Sequence, residues 1–109
     1  MKDILGRYIE VGDIVAHGQR YGNSGSIEVK VVAELRDDSK DNWDSKQVKV
    51  RGYSTTKWFC DKESQNGEHR DGLFMNDRAG WTFPDRLVVI TEAVDPEVRK
   101  FLQEHVNDK

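Results

Sequence analysis

The chain has 109 residues, 36% of them hydrophobic and 34% charged, with a formal net charge of −3. That is one domain's worth of protein with a modest core; Val, Ile, Leu and Phe make up about 24%, enough to pack rather than remain disordered. No apolar run approaches the length that crosses a bilayer, the first residues lack the long apolar stretch of a signal peptide, and the lone Cys60 excludes an internal disulfide framework and fits a reducing cytosol.

In chain order, the first expected element is the segment Tyr8 to Ala16, with a turn at Gly12-Asp13 and a short strand through Asp13-Ile14-Val15-Ala16-His17. Gly18, Gly22 and Gly25 then surround Tyr21 and Asn23, the composition of a flexible loop or wide hairpin. From Ser26 to Leu35 the pattern alternates. Ile27, Val29, Val31, Ala33 and Leu35 share one parity and Ser26, Glu28, Lys30 and Glu34 the other, so the first set is expected inward and the second in water. Val32 breaks the alternation.

Arg36 to Ser45, rich in Asp and Ser, reads as a charged hairpin connection, and Lys46 to Tyr53 as the returning strand, with Val48 and Val50 inward. Thr56 to Cys60 suits a further strand, Asp61 to Gly72 a polar mobile stretch, and Leu73-Phe74-Met75 an apolar island. Leu87 to Ile90 is long enough for a buried strand. Asp95 as N-cap, Pro96 in the first turn and Glu97 at the positive end predict a helix over 95–106. Its stripe of Val94, Val98, Phe101, Leu102, His105 and Val106 is expected to pack on the sheet. Short strands at this spacing argue for a mostly β single domain, a barrel over about 8–91 with a C-terminal α-helix.

The segment Ile9-Glu10-Val11-Gly12-Asp13-Ile14-Val15-Ala16, the long strand after it, the charged hairpin and Val48-Lys49-Val50 together resemble the opening of SH3-like barrels of the KOW and Tudor groups. The resemblance covers roughly residues 8 to 53. It implies a five-stranded barrel in which the Val-Gly-Asp segment starts the first core strand, the next two strands form a twisted hairpin, and Leu87 to Ile90 closes the sheet. In general character the chain is also similar to small accessory proteins of tailed bacteriophages, which implies a host protein as partner.

Chemistry is poorly represented. One Cys and three His, without paired spacing, do not make a zinc site. Cys60 with His17 or His69 lacks a recognisable catalytic turn and reads as a small core residue. The glycine segment 18–25 matches neither a Walker loop nor a dinucleotide fingerprint. The expectation is a non-enzyme without cofactor or metal.

Charge by segment is more informative. Residues 46–60 contain Lys46, Lys49, Arg51 and Lys57 and no acid, whereas every other stretch of the chain is net acidic. Alternation places Lys49, Arg51 and Tyr53 on one outward face, with Lys57 and Trp58 further along and Arg20 and Tyr21 joining from the glycine segment. Trp43, in a loop where nothing local can bury it, is either an interaction residue or folds back over the hairpin. Trp81, beside Phe83 and Pro84, reads as core or core edge. The binding candidates are therefore Arg20, Tyr21, Trp43, Lys49, Arg51, Tyr53 and Lys57. Two functional readings compete with a merely solvated strand face. One is a protein partner gripped by Tyr, Trp and Arg anchors, and the other is RNA or DNA held through phosphates and stacked bases. The acidic remainder of the chain disfavours the second.

Overall fold

The computed structural model describes residues 1–21, 24–37, 46–60 and 66–107. Five antiparallel strands form one sheet: β1 (Ile14–Tyr21), β2 (Ser24–Asp37), β3 (Lys46–Cys60), β4 (Gly67–Thr82) and β5 (Leu87–Val89). Their order across the sheet is β4-β3-β2-β1-β5. A 3-10 turn, Pro84–Arg86, leads into β5, and a second, Thr91–Ala93, leads into the single helix α1 (Pro96–His105). The mostly β architecture with a C-terminal helix is the one read from the pattern. Among the described residues no helix is long and apolar enough to cross a membrane.

The sheet curls on itself. On its concave side Ile9, Val15, Val32, Val48, Val50 and Leu87 form a buried cluster. At the rim of that interior the Nε2 of His17 on β1 meets the Thr82 hydroxyl on β4 at 3.0 Å, although β2 and β3 lie between them in the sheet. On the convex side α1 lies across the strands, and fully buried Leu102 seats against Ile14 and Val31. The two covered faces explain the Val31-Val32 doublet. Val31 faces the helix and Val32 the concave interior, and a β-bulge between Val32 and Glu34 restores Leu35 to the concave side, where it packs on that cluster.

Local chemistry fixes the ends. The Asp13 amide donates to the Glu10 carbonyl at 3.0 Å, closing a turn whose third residue, Gly12, has φ +94°. That is the glycine position of a type II turn. Asp13 Oδ2 accepts from the Glu10 amide, and Oδ1 accepts from the Thr91 hydroxyl, which in turn accepts from the Ile14 amide. Asp3 does the same for the N-terminal segment. Its carboxylate is buried and accepts from the amides of Leu5, Arg7 and Val89 at 2.7–2.9 Å, tying residues 3–7 to β5. Burial pushes its pKa up, but those three amides and the Arg7 guanidinium outweigh this and hold the carboxyl below the usual value. Asp95 caps α1 by accepting from the Glu97 amide at 2.9 Å, with Pro96 in the first turn, as its sequence indicates.

Three expectations are corrected. The strands run on into the glycine segment, β1 to Tyr21 and β2 from Ser24, so the segment expected as a flexible loop or wide hairpin is a hairpin, narrower than expected, with Arg20 paired to Gly25 and Tyr21 to Ser24. The polar stretch 61–72 is strand from Gly67 onward, in register with β3 from Thr56↔Asp71 to Cys60↔Gly67. Polar residues occupy both of its faces because this part of the ribbon leaves the core, so no hydrophobic period marks it. Ile27, expected inward, is 79% exposed, since it sits on β2 beyond the reach of α1.

The ribbon also sets the shape. The radius of gyration is 16.1 Å and the longest axis 57 Å, against a radius of about 13 Å for a compact chain of this length. β2 pairs with β3 only as far as Gly52. Beyond it, β3 and β4 continue as a two-stranded arm.

Candidate binding surface

The acid-free segment does not form one outward face. Lys49, Arg51 and Tyr53 do share a side of β3, as alternation requires, but α1 covers that side at its centre. Arg51 is only 9% exposed. Its Nε donates to the Asn76 carbonyl at 2.6 Å, and its Nη1 lies 3.4 Å from the carbonyls of both His105 and Val106. The guanidinium therefore sits under the C-terminus of α1, where unsatisfied carbonyls and the negative end of the helix dipole favour a cation. The reading of Arg51 as an exposed ligand contact is corrected: the helix, at right angles to anything strand alternation can report, takes the charge.

Tyr53 is half-buried and packs with the convex cluster. Lys57 is exposed, but it is on the arm, its Nζ 5.6 Å from the Phe59 ring. Arg20 and Tyr21 lie at the far end of β1, paired to Gly25 and Ser24, and their side chains fall outside the description, as does the Cys60 side chain. Trp43 lies outside the described residues. Of the sequence-based candidates, only Lys49 stands in an exposed constellation.

That constellation is built by cross-strand register. β3 and β4 place Trp81 directly opposite Lys49, and β2 and β3 place Glu34 on Lys49's other side. The Lys49 ammonium is 5.9 Å from the Trp81 ring centre, and the Arg36 guanidinium, reaching over from β2, is 4.8 Å from it. Two residues on, past inward-facing Thr82, the backbone is still extended at Phe83 (φ −101°, ψ 145°), so Phe83 follows Trp81 on the same side. Arg86 stands 5.5 Å from the Phe83 ring. Trp81 is 39% and Phe83 45% exposed. Beside them lies an open groove of about 610 Å³ lined by Lys49, Arg51, Asp77, Arg78, Ala79 and Val106 among others.

Sequence reading placed Trp81 at the core edge and missed Arg36 and Arg86. The available signal was the shared parity of Trp81 and Phe83. Arg36 was invisible because it comes from another strand, and Arg86 because the 3-10 turn carries it back to the Phe83 ring.

Electrostatically the surface mixes three stacked cations with Glu34 and Asp85 close by in sequence or register. Each cation over a ring face contributes about 0.5–1 kcal/mol at an exposed site, which holds the aromatic side chains in place before any ligand arrives. Among the described residues no three His, Cys, Asp or Glu side chains gather as a metal ion would require. His17, buried beside Thr82, is held below the ordinary imidazole value first by burial and then by Lys30 and Arg86, with Glu28 opposing. It is enclosed by the fold, and its hydroxyl partner serves the curl of the sheet.

In comparisons with known proteins, no family model, no curated protein and no solved structure matches this chain.

Proposed function

We propose that this protein is a non-enzymatic binding module that engages a partner protein through the Arg36–Trp81–Lys49 cluster and Phe83. One observation carries the reading: two large aromatic side chains stand exposed at the end of the sheet, each already stacked with a cation. Arg, Trp and other aromatic residues are the side chains that dominate protein interfaces, and an ordered aromatic loses little entropy on docking. The complementary ligand is a segment that offers an apolar side chain to the rings and a carboxylate to the cations. The SH3-like reading rests on the sequence resemblance, which implies a closing strand where β5 lies beside β1. The likeness to phage accessory proteins makes a bacterial host protein the partner to seek, in a cytoplasmic setting.

Nucleic acid is the alternative, and the geometry weakens it. Withdrawing Arg51 beneath the helix and carrying Lys57 out on the arm breaks up the continuous basic face that phosphates would need. Affinity capture from bacterial lysate with photocrosslinking next to residue 81 tests the proposal. A protein crosslinked by the wild type and lost with Trp81→Ala or Lys49→Glu supports it, and full retention by both variants rejects it. Salt-sensitive binding of single-stranded oligonucleotides, lost in the same variants, would install the nucleic-acid reading instead.

A further inference from the structure

The arm carries a second, independent feature. From Thr56 to Cys60 and from Gly67 to Asp71 the two strands pair only with each other among the described residues, and β4 is one of the two edge strands of the sheet. A two-stranded ribbon is marginal alone in water, and an edge strand is a template for further pairing. Natural edges are blunted by bulges and charges. Here register shifts interrupt β4 between the partners of Arg51 and Thr56, which leaves Gly67–Asp71 as the regular run on the arm.

The charges on that run alternate in sign along one face: Glu68 and then Arg70, both exposed, with the carboxylate 2.7 Å from Arg70 Nε. A parallel in-register neighbour would oppose Glu to Glu and Arg to Arg. An antiparallel copy centred on His69 opposes Glu68 to Arg70 twice, and it does so with no change in the strand.

We propose that the protein forms a two-fold symmetric dimer by antiparallel pairing of β4 with β4 of a second copy, with His69 on the axis. The other side of the ribbon supports the same register. Trp58 is 54% exposed, opposes His69 across β3 and β4, and packs edge-on against it with ring centres 4.8 Å apart. Pairing about His69 extends this into a row of Trp58, His69, and then His69 and Trp58 of the second copy. On the charged face, Lys57 and Arg70 continue into Glu68 and Phe59 of the second copy. A C2 interface of this kind needs one self-complementary patch, which this segment supplies.

The test is sedimentation equilibrium of the full chain with charge-swap variants. The wild type is expected to dimerise with concentration. Arg70→Glu sets two like-charged pairs across the axis and weakens association roughly ten- to thirtyfold, and Glu68→Arg combined with Arg70→Glu restores it. In a Cys60→Ser background, His69→Cys is expected to form an interchain disulfide under mild oxidation, because paired Cα atoms on an antiparallel axis are about 4.5–5.5 Å apart; Lys57→Cys, on the β3 side of the arm and away from the axis, is not. Lys57, Glu68, His69 and Arg70 are exposed, and circular dichroism verifies the fold of each variant. A chain that stays monomeric up to about 1 mM, an Arg70→Glu variant that associates like the wild type, or the absence of a His69 crosslink each overturns the proposal. Trp81→Ala leaves this dimer intact, so failure here is separable from failure of the partner-binding reading.

Discussion

Replacing Arg51 by Ala distinguishes a structural cation from a binding one. The side chain makes one short hydrogen bond to the Asn76 carbonyl and two long electrostatic contacts, at 3.4 Å, to the carbonyls of His105 and Val106. A hydrogen bond to a charged group contributes about 1.5–3 kcal/mol. A cation at a partly buried helix C-terminus adds up to about 2 kcal/mol. Returning the guanidinium to water in the unfolded state offsets part of this, leaving a net loss of about 3 kcal/mol for Arg51→Ala. At about 4 °C per kcal/mol for a chain of this size, the Tm falls by roughly 12 °C. Arg51→Lys keeps the charge but loses the planar fork and is expected to lose about half as much. Urea denaturation followed by far-ultraviolet circular dichroism, with scanning calorimetry, measures both. Below its lowered Tm, Arg51→Ala is expected to retain partner binding fully. A variant within about 0.5 kcal/mol of wild type that nevertheless loses its partner would refute the assignment and return Arg51 to the ligand surface.

Three further outcomes follow from the same contacts. Leu102→Ala empties the site where α1 seats on Ile14 and Val31 and is expected to cost about 2–5 kcal/mol in urea unfolding. Asp3 has a lowered carboxyl pKa, so its contribution is present above the unfolded value of about 3.9 and is lost as pH falls through the folded one. Asp3→Asn should therefore be less stable at neutral pH and converge with wild type at the acid end of a pH–urea series. His17 is also lowered, so the unfolded chain takes up its proton first. Stability is expected to fall as pH drops below about 6.5, and His17→Asn should remove most of that slope between about pH 7.5 and about pH 5.5.

Where a segment buried one face or carried its own cap, sequence was sufficient. The helix was legible from Asp95, Pro96 and its apolar stripe, and β5 from an apolar run that is buried at Leu87. β1 and the turn before it followed from Gly12-Asp13. Period-two reasoning failed where both faces are covered, at Val31 and Val32, and where neither is, along Gly67–Asp71. Arg51 was misread because its partners are backbone carbonyls far along the chain, of Asn76 on β4 and of His105 and Val106 at the end of the helix. Backbone carbonyls leave no trace in a charge profile. The candidate surface was half legible: Lys49 was named, while Arg36 and Arg86 are brought to the rings by register and by the turn before β5.

The acid-free composition of β3 has a physical origin in the sheet rather than in a ligand. β3 lies between β2 and β4, so its neighbours in space are theirs and not its own. Lys46 is opposite Asp37, Lys49 is opposite Glu34, and Arg51 meets the helix carbonyls. Cross-strand pairs of opposite charge stabilise antiparallel sheets, and β3 satisfies that rule on its β2 side, while on its β4 side Lys49 faces Trp81 and Arg51 faces Ala79. Lys57 is the exception, since its partner across the ribbon is Arg70. Two cations face each other there, well out along the arm, and the Phe59 ring lies within 5.6 Å of one and 4.5 Å of the other. Glu68 relieves Arg70 from within the chain, and a second Glu68 across the proposed axis would relieve it again. The position of the basic strand that faces a like charge thus lies beside the edge where the proposed pairing would set a second Glu68 against Arg70.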